Sequence, residues 1–420
     1  MYSDNQDQHS QDQKYPGQIG QPLPSDSTSQ VRSLRELIER GSGRAIASVE
    51  NEADAGLAEV LPFPFLALVG QTEMKLALLL CLVNPSVGGV LLVGPRGTGK
   101  TTAVRSLVDL LPQVPRSTCY YGCMPEDVET GGLDAVCPDC ARKYALGEPL
   151  SVIDRVHLVD LPLNARLEDV VGGLDERAAV HDRIRIKRGI LAQADRNLLY
   201  VDEVNLLASD LVNAILDAAA QGSYTVRRGP ISATYRSRFV LIGSMNPEEG
   251  KLRPQIMDRF GLRVVVRGLS GIQDSDDCLE IYRRVHAYLQ NPRRVVEQFA
   301  AETDLARREI QTARDLLPRV TLPDRMARLG LSLIGDLRID SLRAEITLFE
   351  AGRAYAALDG RLEVTSTDLC EVAHMALRMR RSVFMTEYFA GQDNEETELD
   401  AVLARTLIDK SEDAPHQSGG

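Results

Sequence analysis

The stretch GPRGTGKTT at 94–102 constrains the fold of this chain more than any other feature. It fits the pattern G-x-x-x-x-G-K-[ST], and it lies between an apolar run at 88–94 and a segment with helical periodicity. Glycines in such a loop adopt positive φ, so that successive backbone N–H groups point at phosphate oxygens. A chance glycine-rich turn would not have a strand before it and a helix after it. We therefore interpret the stretch as the phosphate-binding loop of an α/β domain.

Further apolar runs of the same kind recur along the chain, at 156–162, 197–204, 239–246 and 262–268. Continuous Val, Ile and Leu runs separated by helical patterns are typical of a parallel sheet whose two faces are both covered. Beyond residue 268 the runs stop, and helical periodicity takes over, as in 342–360. The pattern predicts an α/β domain followed by an all-helical one.

Composition separates a globular middle from two polar ends. The 420 residues are 44% hydrophobic and 26% charged, which is enough for domains with substantial cores. The N-terminal part is rich in Gln, Ser, Asp and Pro, so we expect it to be disordered apart from one short helix. The predicted division is a tail at 1–56, a nucleotide-binding domain at 57–268, a helical linker at 269–320, a helical domain at 321–388 and a flexible acidic tail at 389–420.

Charge and hydropathy exclude several classes of protein. The formal net charge of −12 argues against general nucleic-acid binding, which depends on Lys and Arg neutralising phosphates. No apolar run reaches the roughly 18 residues that a membrane-spanning helix needs. The N-terminal stretch lacks an apolar signal-peptide core, and it carries acids that transit peptides avoid. We expect a bacterial cytoplasmic protein rather than one of the plastid stroma.

The residues around the phosphate loop are those that bind and hydrolyse a nucleoside triphosphate. Lys100 supplies a positive charge to the β- and γ-phosphates, and the Thr101 hydroxyl can ligate Mg²⁺. Asp202 follows the strand-like run NLLYV and can hold Mg²⁺ through its water shell, and Glu203 is placed to polarise the attacking water. Asn246 ends the next run and can orient that water. For the acidic pair alone, a solvated strand end is the alternative.

Four of the seven cysteines lie close together in the sequence. Cys119 and Cys123 form one pair, and Cys137 and Cys140 form a second pair after 13 intervening residues. This spacing fits a four-thiolate zinc site, which we predict within an insertion at 119–140. The alternatives are a redox pair of Cys137 with Cys140, an iron–sulfur cluster, or four unrelated thiols. The remaining cysteines have apolar or helical neighbours, and we expect them in the core: Cys81, Cys278 and Cys370.

Three blocks, GPRGTGKTT, VDEVNLL and GSMNPEEGKLRPQIMDRFGL, occur in this order and resemble the AAA+ ATPase superfamily. More narrowly, they resemble the ATPase subunits I of magnesium chelatases. The resemblance covers about 57–381, and the third block is much more specific than the phosphate loop. It implies an AAA+ αβα P-loop core with a parallel sheet and β-hairpin insertions, among them a hairpin at 223–239, followed by an all-α lid domain.

The resemblance also implies a role for each residue that matches a family motif. Asp202 and Glu203 are implied as the Walker B acids, and Asn246 as sensor 1. The Walker A loop would consist of Gly94, Pro95, Arg96, Gly97, Thr98, Gly99, Lys100, Thr101 and Thr102. The adenine would lie near Val69, Gly70 and Gln71.

Three arginines are implied to act at the edges of the site. Arg259 is the first choice for an arginine finger that reaches the γ-phosphate bound to a neighbouring subunit, and Arg253 is the second. Arg343 would be sensor 2, reaching the γ-phosphate of its own chain. Because arginine is abundant in this chain, surface arginines are the alternative for each of them.

The implied function is a motor that hydrolyses ATP with Mg²⁺ in a ring, most simply a hexamer. The motor would drive Mg²⁺ insertion into protoporphyrin IX by a separate large subunit, through a third subunit with an integrin-like domain. The alternatives are a MoxR-like chaperone ATPase, a cobalt chelatase motor or, more remotely, a nucleic-acid motor. The last would use hairpin arginines such as Arg227 and Arg228.

Overall fold

A five-stranded sheet lies at the centre of the fold. The computed structural model describes residues 61–119, 121–173, 188–228, 231–268 and 275–381, and these ranges contain nine strands. The strands are β1 (Val90–Val93), β2 (Val114–Ser117), β3 (Ser151–Asp154), β4 (Leu158–Leu161), β5 (Leu198–Val201), β6 (Ser223–Arg228), β7 (Ile231–Arg236), β8 (Val240–Met245) and β9 (Leu262–Val265).

The central sheet has the order β4–β5–β8–β1–β9, and all of its pairings are parallel. Each of the five predicted apolar runs supplies one of these strands, so the prediction of a parallel sheet is confirmed. Every residue of β1, β5 and β8 is buried, as expected when helices cover both faces. The carboxyl ends of β5, β8 and β1 lie side by side, which brings three distant parts of the sequence to one edge.

Fourteen α-helices are present in the described part of the chain. Those around the sheet are α1 (Thr72–Val83), α2 (Lys100–Ser106), α3 (Pro125–Gly131), α4 (Pro138–Ala145), α5 (Leu167–Val171), α6 (Ile190–Gln193), α7 (Ser209–Gln221) and α8 (Pro254–Arg259). Those that follow it are α9 (Ser275–Gln290), α10 (Pro292–Gln298), α11 (Ala300–Leu316), α12 (Asp324–Asp336), α13 (Leu342–Leu358) and α14 (Ser366–Leu377). The described residues after β9 therefore form a helical lid, apart from one isolated bridge between Thr321 and Glu363.

Side-chain caps define where the lid helices begin. The Ser341 hydroxyl accepts from the Ala344 amide at the start of α13. Thr365 precedes α14 and forms a capping box with Asp368. The buried Ala and Leu residues of α13 join the core that also contains α1 and one face of the sheet. The lid and the α/β domain consequently share one apolar core.

Two antiparallel hairpins project from the α/β domain. β6 pairs with β7, with Tyr224 opposite Tyr235, and this confirms the hairpin predicted at 223–239. β2 pairs with β3, and this second hairpin encloses the cysteine-containing insertion. Of the other cysteines, Cys81 is fully buried, but Cys370 is exposed on α14. The expectation of a core position is wrong for Cys370, because it lies on the solvent side of its helix.

The predicted tails at 1–56 and 389–420 lie outside the described residues. In the part that is described, no helix is both long enough and apolar enough to cross a bilayer.

Candidate nucleotide site and cysteine cluster

A cavity of about 550 Å³ opens where the carboxyl ends of β1, β5 and β8 meet. Its walls include the phosphate loop from Arg96 to Thr102, together with Asp202, Glu203 and Asn246. These residues come from three separate stretches of sequence, and the strand order alone brings them together. The cavity is large enough for a nucleotide.

Positive φ was expected at three glycines of the phosphate loop, and it occurs at Gly97 and Gly99 but not at Gly94. Gly97 and Gly99 have φ values of 76° and 82°. Gly94 is needed for space, since a Cβ there would lie 2.1 Å from the Val266 carbonyl oxygen. Lys100 Nζ donates to the carbonyl oxygens of Gly94 and Pro95, at 2.8 and 2.7 Å. Burial lowers the pKa of Lys100, against the opposing effect of the nearby carboxylates.

A chain of hydroxyl groups links the phosphate loop to Asp202. Tyr200 Oη lies 3.1 Å from Thr101 Oγ1 and donates to Asp202 Oδ1 at 2.9 Å. Ser244 Oγ donates to the same carboxylate oxygen. Burial raises the pKa of Tyr200 to about 12, so its hydroxyl stays protonated and can donate. Sequence reasoning missed Tyr200 and Ser244, although Tyr200 shares a strand face with Asp202 by the two-residue period.

Glu203 is held in an unusual backbone conformation beside this chain of hydroxyls. Its φ is +50°, in the left-handed region, and its amide donates to Ser244 Oγ at 3.2 Å. Arg96 contacts both Glu203, at 3.3 Å, and Glu249. Asn246 Nδ2 donates to Glu249 Oε1 at 3.1 Å, and this bond, followed by the Arg96 contact, lowers the pKa of Glu249. Sequence reasoning also missed Glu249, which lies three residues after Asn246.

The opposite end of the cavity is largely apolar. Of the three residues expected near the adenine, Val69 and Gln71 line this end of the cavity, whereas Gly70 between them does not. Gln71 Nε2 donates to the Arg267 carbonyl oxygen at 2.8 Å, which fixes this segment to the end of β9. Helix α9 supplies the remaining wall, with Ile281, Arg284 and Val285. The wall from α9 was not predicted, because nothing in its sequence marks it as facing the loop.

The three predicted arginines do not reach the cavity of their own chain. Arg259 Nη1 donates to Asp217 Oδ1 at 2.7 Å, on the outer side of α7. Arg253 precedes α8 and is exposed. Arg343 lies 3.9 Å from the Asp258 carboxylate, and its side chain is 46% exposed. The structure therefore places all three outside the set of residues that surround the phosphate loop.

The four clustered cysteines converge as their spacing predicted. Their Sγ atoms all lie within 4.8 Å of one another, and no disulfide joins them. Cys119 Sγ lies 3.7 Å from that of Cys123 and 3.5 Å from that of Cys137. Four thiolates around a tetrahedral zinc ion at about 2.3 Å would lie about 3.8 Å apart. The donor set and its spacing thus fit a zinc ion.

Hydrogen bonds to sulfur favour the ionised form of one of these thiols. The Tyr121 amide donates to Cys119 Sγ at 3.2 Å, and the Cys137 amide donates to Cys123 Sγ at 3.4 Å. Burial opposes ionisation of Cys119, but hydrogen bonds from the amides of Tyr121 and Cys123, together with those from the thiols of Cys137 and Cys140, outweigh it and lower its pKa to about 7. Backbone donors around sulfur are the kind of outer contact that orients metal ligands.

Comparison with known proteins agrees with this geometry. Residues 86–244 match the AAA domain model, and 332–402 match the AAA lid domain model. The magnesium-chelatase 38 kDa subunit of Acidiphilium rubrum is 45% identical over 320 residues, which are 76% of this chain and 90% of that protein. The magnesium-chelatase subunit ChlI of Synechocystis sp. is 41% identical, over 76% of this chain and 88% of that protein.

A solved complex between subunits BchI and BchD of magnesium chelatase contains a chain that is 40% identical to this one. The match covers 77% of this chain and 97% of that chain, with a TM-score of 0.44. The similarity between the two chains is therefore one of sequence. High identity over nearly the full length of such relatives, together with the AAA and lid matches, shows the family. The chain belongs to the magnesium-chelatase I subunits, a family of AAA ATPases.

Proposed function

We propose that this chain is the ATP-hydrolysing motor subunit of a magnesium chelatase. ATP hydrolysis in the chain drives insertion of Mg²⁺ into protoporphyrin IX, a reaction that a separate large subunit carries out. The observation that supports this most is the cavity in which the phosphate loop, Asp202, Glu203 and Asn246 converge, in a chain 45% identical to a magnesium-chelatase subunit.

ATP binds as its magnesium complex, and each polar residue of the cavity has a distinct task. Lys100 exchanges its two loop carbonyls for oxygens of the β- and γ-phosphates. Thr101 and Asp202 would hold Mg²⁺, and the Tyr200 hydroxyl joins the two side chains by hydrogen bonds. Glu203 accepts a proton from the attacking water, and Asn246 orients that water.

Replacing Tyr200 by phenylalanine tests the magnesium assignment. The phenyl ring keeps the packing within β5, but the link between Thr101 and Asp202 is lost. Loss of such an outer contact lowers metal affinity about 10-fold. We expect the Mg²⁺ concentration for half-maximal ATP hydrolysis to rise by about that factor, with little change in the maximal rate. Tyr235→Phe, in the buried part of the hairpin, is the matched control and should leave the Mg²⁺ requirement unchanged.

The four-cysteine site is proposed as a structural zinc site, separate from the ATPase chemistry. We expect metal analysis of the purified chain to give about one zinc per chain, because four convergent thiolates form a closed tetrahedral set. Cys140→Ser should lower the zinc content to near zero. A metal-free chain whose thiols oxidise reversibly would instead support the redox alternative, and iron with sulfide would support the cluster.

The motor is proposed to work as a ring of identical chains, most simply a hexamer, with two further subunits as partners. Arg259 lies outside the cavity of its own chain, which supports a role at the site of a neighbour. A bridging partner of the BchD kind is supported by the solved BchI–BchD complex, in which one chain is 40% identical to this one. The large porphyrin-binding subunit is the other proposed partner. The cytoplasmic location stays a prediction.

Reconstitution tests the proposed function directly. The chain is mixed with the bridging and large subunits from one relative, and porphyrin metallation is followed with Mg²⁺ or Co²⁺ in the presence of ATP. We expect ATP-dependent insertion of magnesium. Insertion of cobalt alone would favour a cobalt chelatase motor, and ATP hydrolysis without any insertion would favour a MoxR-like chaperone. Salt-sensitive binding of DNA by the isolated chain would support a nucleic-acid motor.

A further inference from the structure

The cysteine insertion contacts the ATPase domain through two acids next to one of its cysteines. Helix α3 begins at Pro125, two residues after Cys123, and its first turn carries Glu126 and Asp127. Asp127 accepts a hydrogen bond from the Met124 amide at 2.8 Å, so its carboxylate is fixed relative to the Cys123 turn. The carboxylates of these two acids meet arginines that belong to the ATPase domain.

Each of the two acids forms an ion pair with one arginine, and both arginines lie at the end of a strand or just before one. Asp127 forms an ion pair with Arg236, the last residue of β7. Glu126 pairs at 3.3 Å with Arg196, which precedes β5 and also donates to the Pro115 carbonyl oxygen at 3.2 Å. The Asp127 side chain is only 13% exposed, so its pair with Arg236 is shielded from solvent and from salt. Through the pair of Glu126 with Arg196, helix α3 contacts the segment just before β5, the strand that ends at the proposed Walker B acids.

The β6–β7 hairpin needs support from outside itself. It forms a separate two-stranded sheet that is not paired with the central sheet. Its own buried cluster is small, with Val226 and Tyr235 packed against Ala192. An isolated two-stranded ribbon is at best marginally stable in water. The ion pair with Asp127 lies at the base of this ribbon, where it can set the ribbon's position.

The insertion in turn lacks a core that could hold α3 in place. The buried members of its apolar cluster are Cys123, Cys140 and Leu150, so two of the three are proposed metal ligands. A further link is the Ser117 hydroxyl, which donates to the Cys123 carbonyl oxygen at 2.6 Å. With so little apolar burial, the geometry of this segment depends on what joins the four sulfur atoms.

We propose that the zinc-bound cysteine insertion braces the β6–β7 hairpin, with Asp127 and Glu126 transmitting the position of the metal site to Arg236 and Arg196. This inference rests on the zinc proposal above. The metal fixes the Cys123 turn, the turn fixes the start of α3, and α3 clamps the base of the hairpin onto the ATPase domain. Zinc has a positioning role here, and it touches neither ATP nor the reacting atoms.

The test measures hydrogen exchange of the hairpin amides at 223–236 in the full chain, with zinc content determined on the same samples. Asp127→Asn keeps an oxygen for the Met124 amide but removes the charge that holds Arg236. We expect exchange in the hairpin to become about 10-fold faster, while zinc stays at about one per chain. Glu129→Gln, an exposed acid on the same helix, is the matched control and should change neither quantity.

Removal of zinc from the wild-type chain by a chelator should accelerate hairpin exchange to a similar extent. In the Asp127→Asn variant the same treatment should add little further effect, because the contact that directly reaches the hairpin, the Asp127–Arg236 pair, is already lost. Unchanged hairpin exchange after complete zinc removal would overturn the role of the metal, and unchanged exchange in Asp127→Asn would overturn the brace. A chain that never contains zinc would overturn the zinc proposal itself, which is a separate outcome.

Discussion

Glu203→Gln abolishes most ATP hydrolysis while ATP binding persists, with an expected fall in rate of about 10²- to 10⁴-fold. The glutamine keeps the shape of the side chain and can still contact Arg96, but it cannot accept a proton from water. The left-handed backbone of Glu203, whose amide donates to Ser244 Oγ at 3.2 Å, supports that proposed role. Lys100 and Asp202 are untouched by the change, so the nucleotide keeps its phosphate and magnesium contacts.

The measurement pairs steady-state hydrolysis with equilibrium binding of a fluorescent ATP analogue. Glu248→Gln is the matched control. Glu248 is an exposed acid just after the carboxyl end of β8, and its backbone amide, which the substitution keeps, donates to Asn246 Oδ1. We expect that control to hydrolyse ATP at the wild-type rate. A Glu203→Gln variant that keeps more than a tenth of the wild-type rate would show that another group activates the water.

Arg259→Ala has the other very large expected effect, a loss of hydrolysis of about 10³- to 10⁵-fold, as for other arginine fingers. Within its own chain Arg259 pairs with Asp217 at 2.7 Å and lies outside the cavity. Its removal should therefore leave ATP binding by the isolated chain intact. We expect the loss because, in the proposed ring, the γ-phosphate held by one chain would no longer receive a positive charge from the next.

Mixing variants shows whether the arginine acts between chains. Neither Lys100→Ala nor Arg259→Ala should hydrolyse ATP alone, but the two together form some interfaces with an intact loop facing an intact arginine. We expect the mixture to regain a substantial part of the activity. Arg253→Ala is the control, and it should stay active. No recovery on mixing would contradict action in trans, and loss of activity in Arg253→Ala alone would make Arg253 the finger.

The sheet and the phosphate-binding end of the site were predictable because their signals are local. Each strand of the central sheet lies in a largely apolar run; Asp202 and Asn246 directly follow two of these runs, and Lys100 lies at the end of the glycine-rich loop that follows a third. Once the runs form a parallel sheet, their carboxyl ends must share an edge, and this places the three residues together. The four cysteines were predictable for a similar reason, since their spacing already matches a metal site.

Residues that depend on the packing of distant segments were not predictable in this way. Ser244 meets Asp202 only because β5 and β8 are neighbours, and neither strand's sequence indicates that pairing. Tyr200 shares a strand face with Asp202, but its contact with Thr101 depends on the packing of the phosphate loop against β5. The α9 wall of the cavity arises from the way the helical lid returns to the phosphate loop.

The position of Arg343 likewise depends on tertiary contacts. Asp258 pairs with Arg263 and Arg380, whose side chains are almost fully buried, and Arg343 lies at the edge of this group. A carboxylate surrounded by three arginines fixes the contact between α8 and the lid. The role of Arg343 as sensor 2 stays a prediction, since its guanidinium lies beside Asp258 and away from the phosphate loop.

The most direct test of the central claim measures magnesium insertion by the reconstituted complex when its motor cannot hydrolyse ATP. The chain is combined with the bridging and large subunits, and the absorbance of magnesium protoporphyrin IX is followed alongside phosphate release. Wild-type chain should give product in proportion to the ATP consumed. The Glu203→Gln variant should bind ATP and join the complex yet give no product above background. Insertion at the wild-type rate with that variant would contradict the account, because hydrolysis in this chain would not be the driving step.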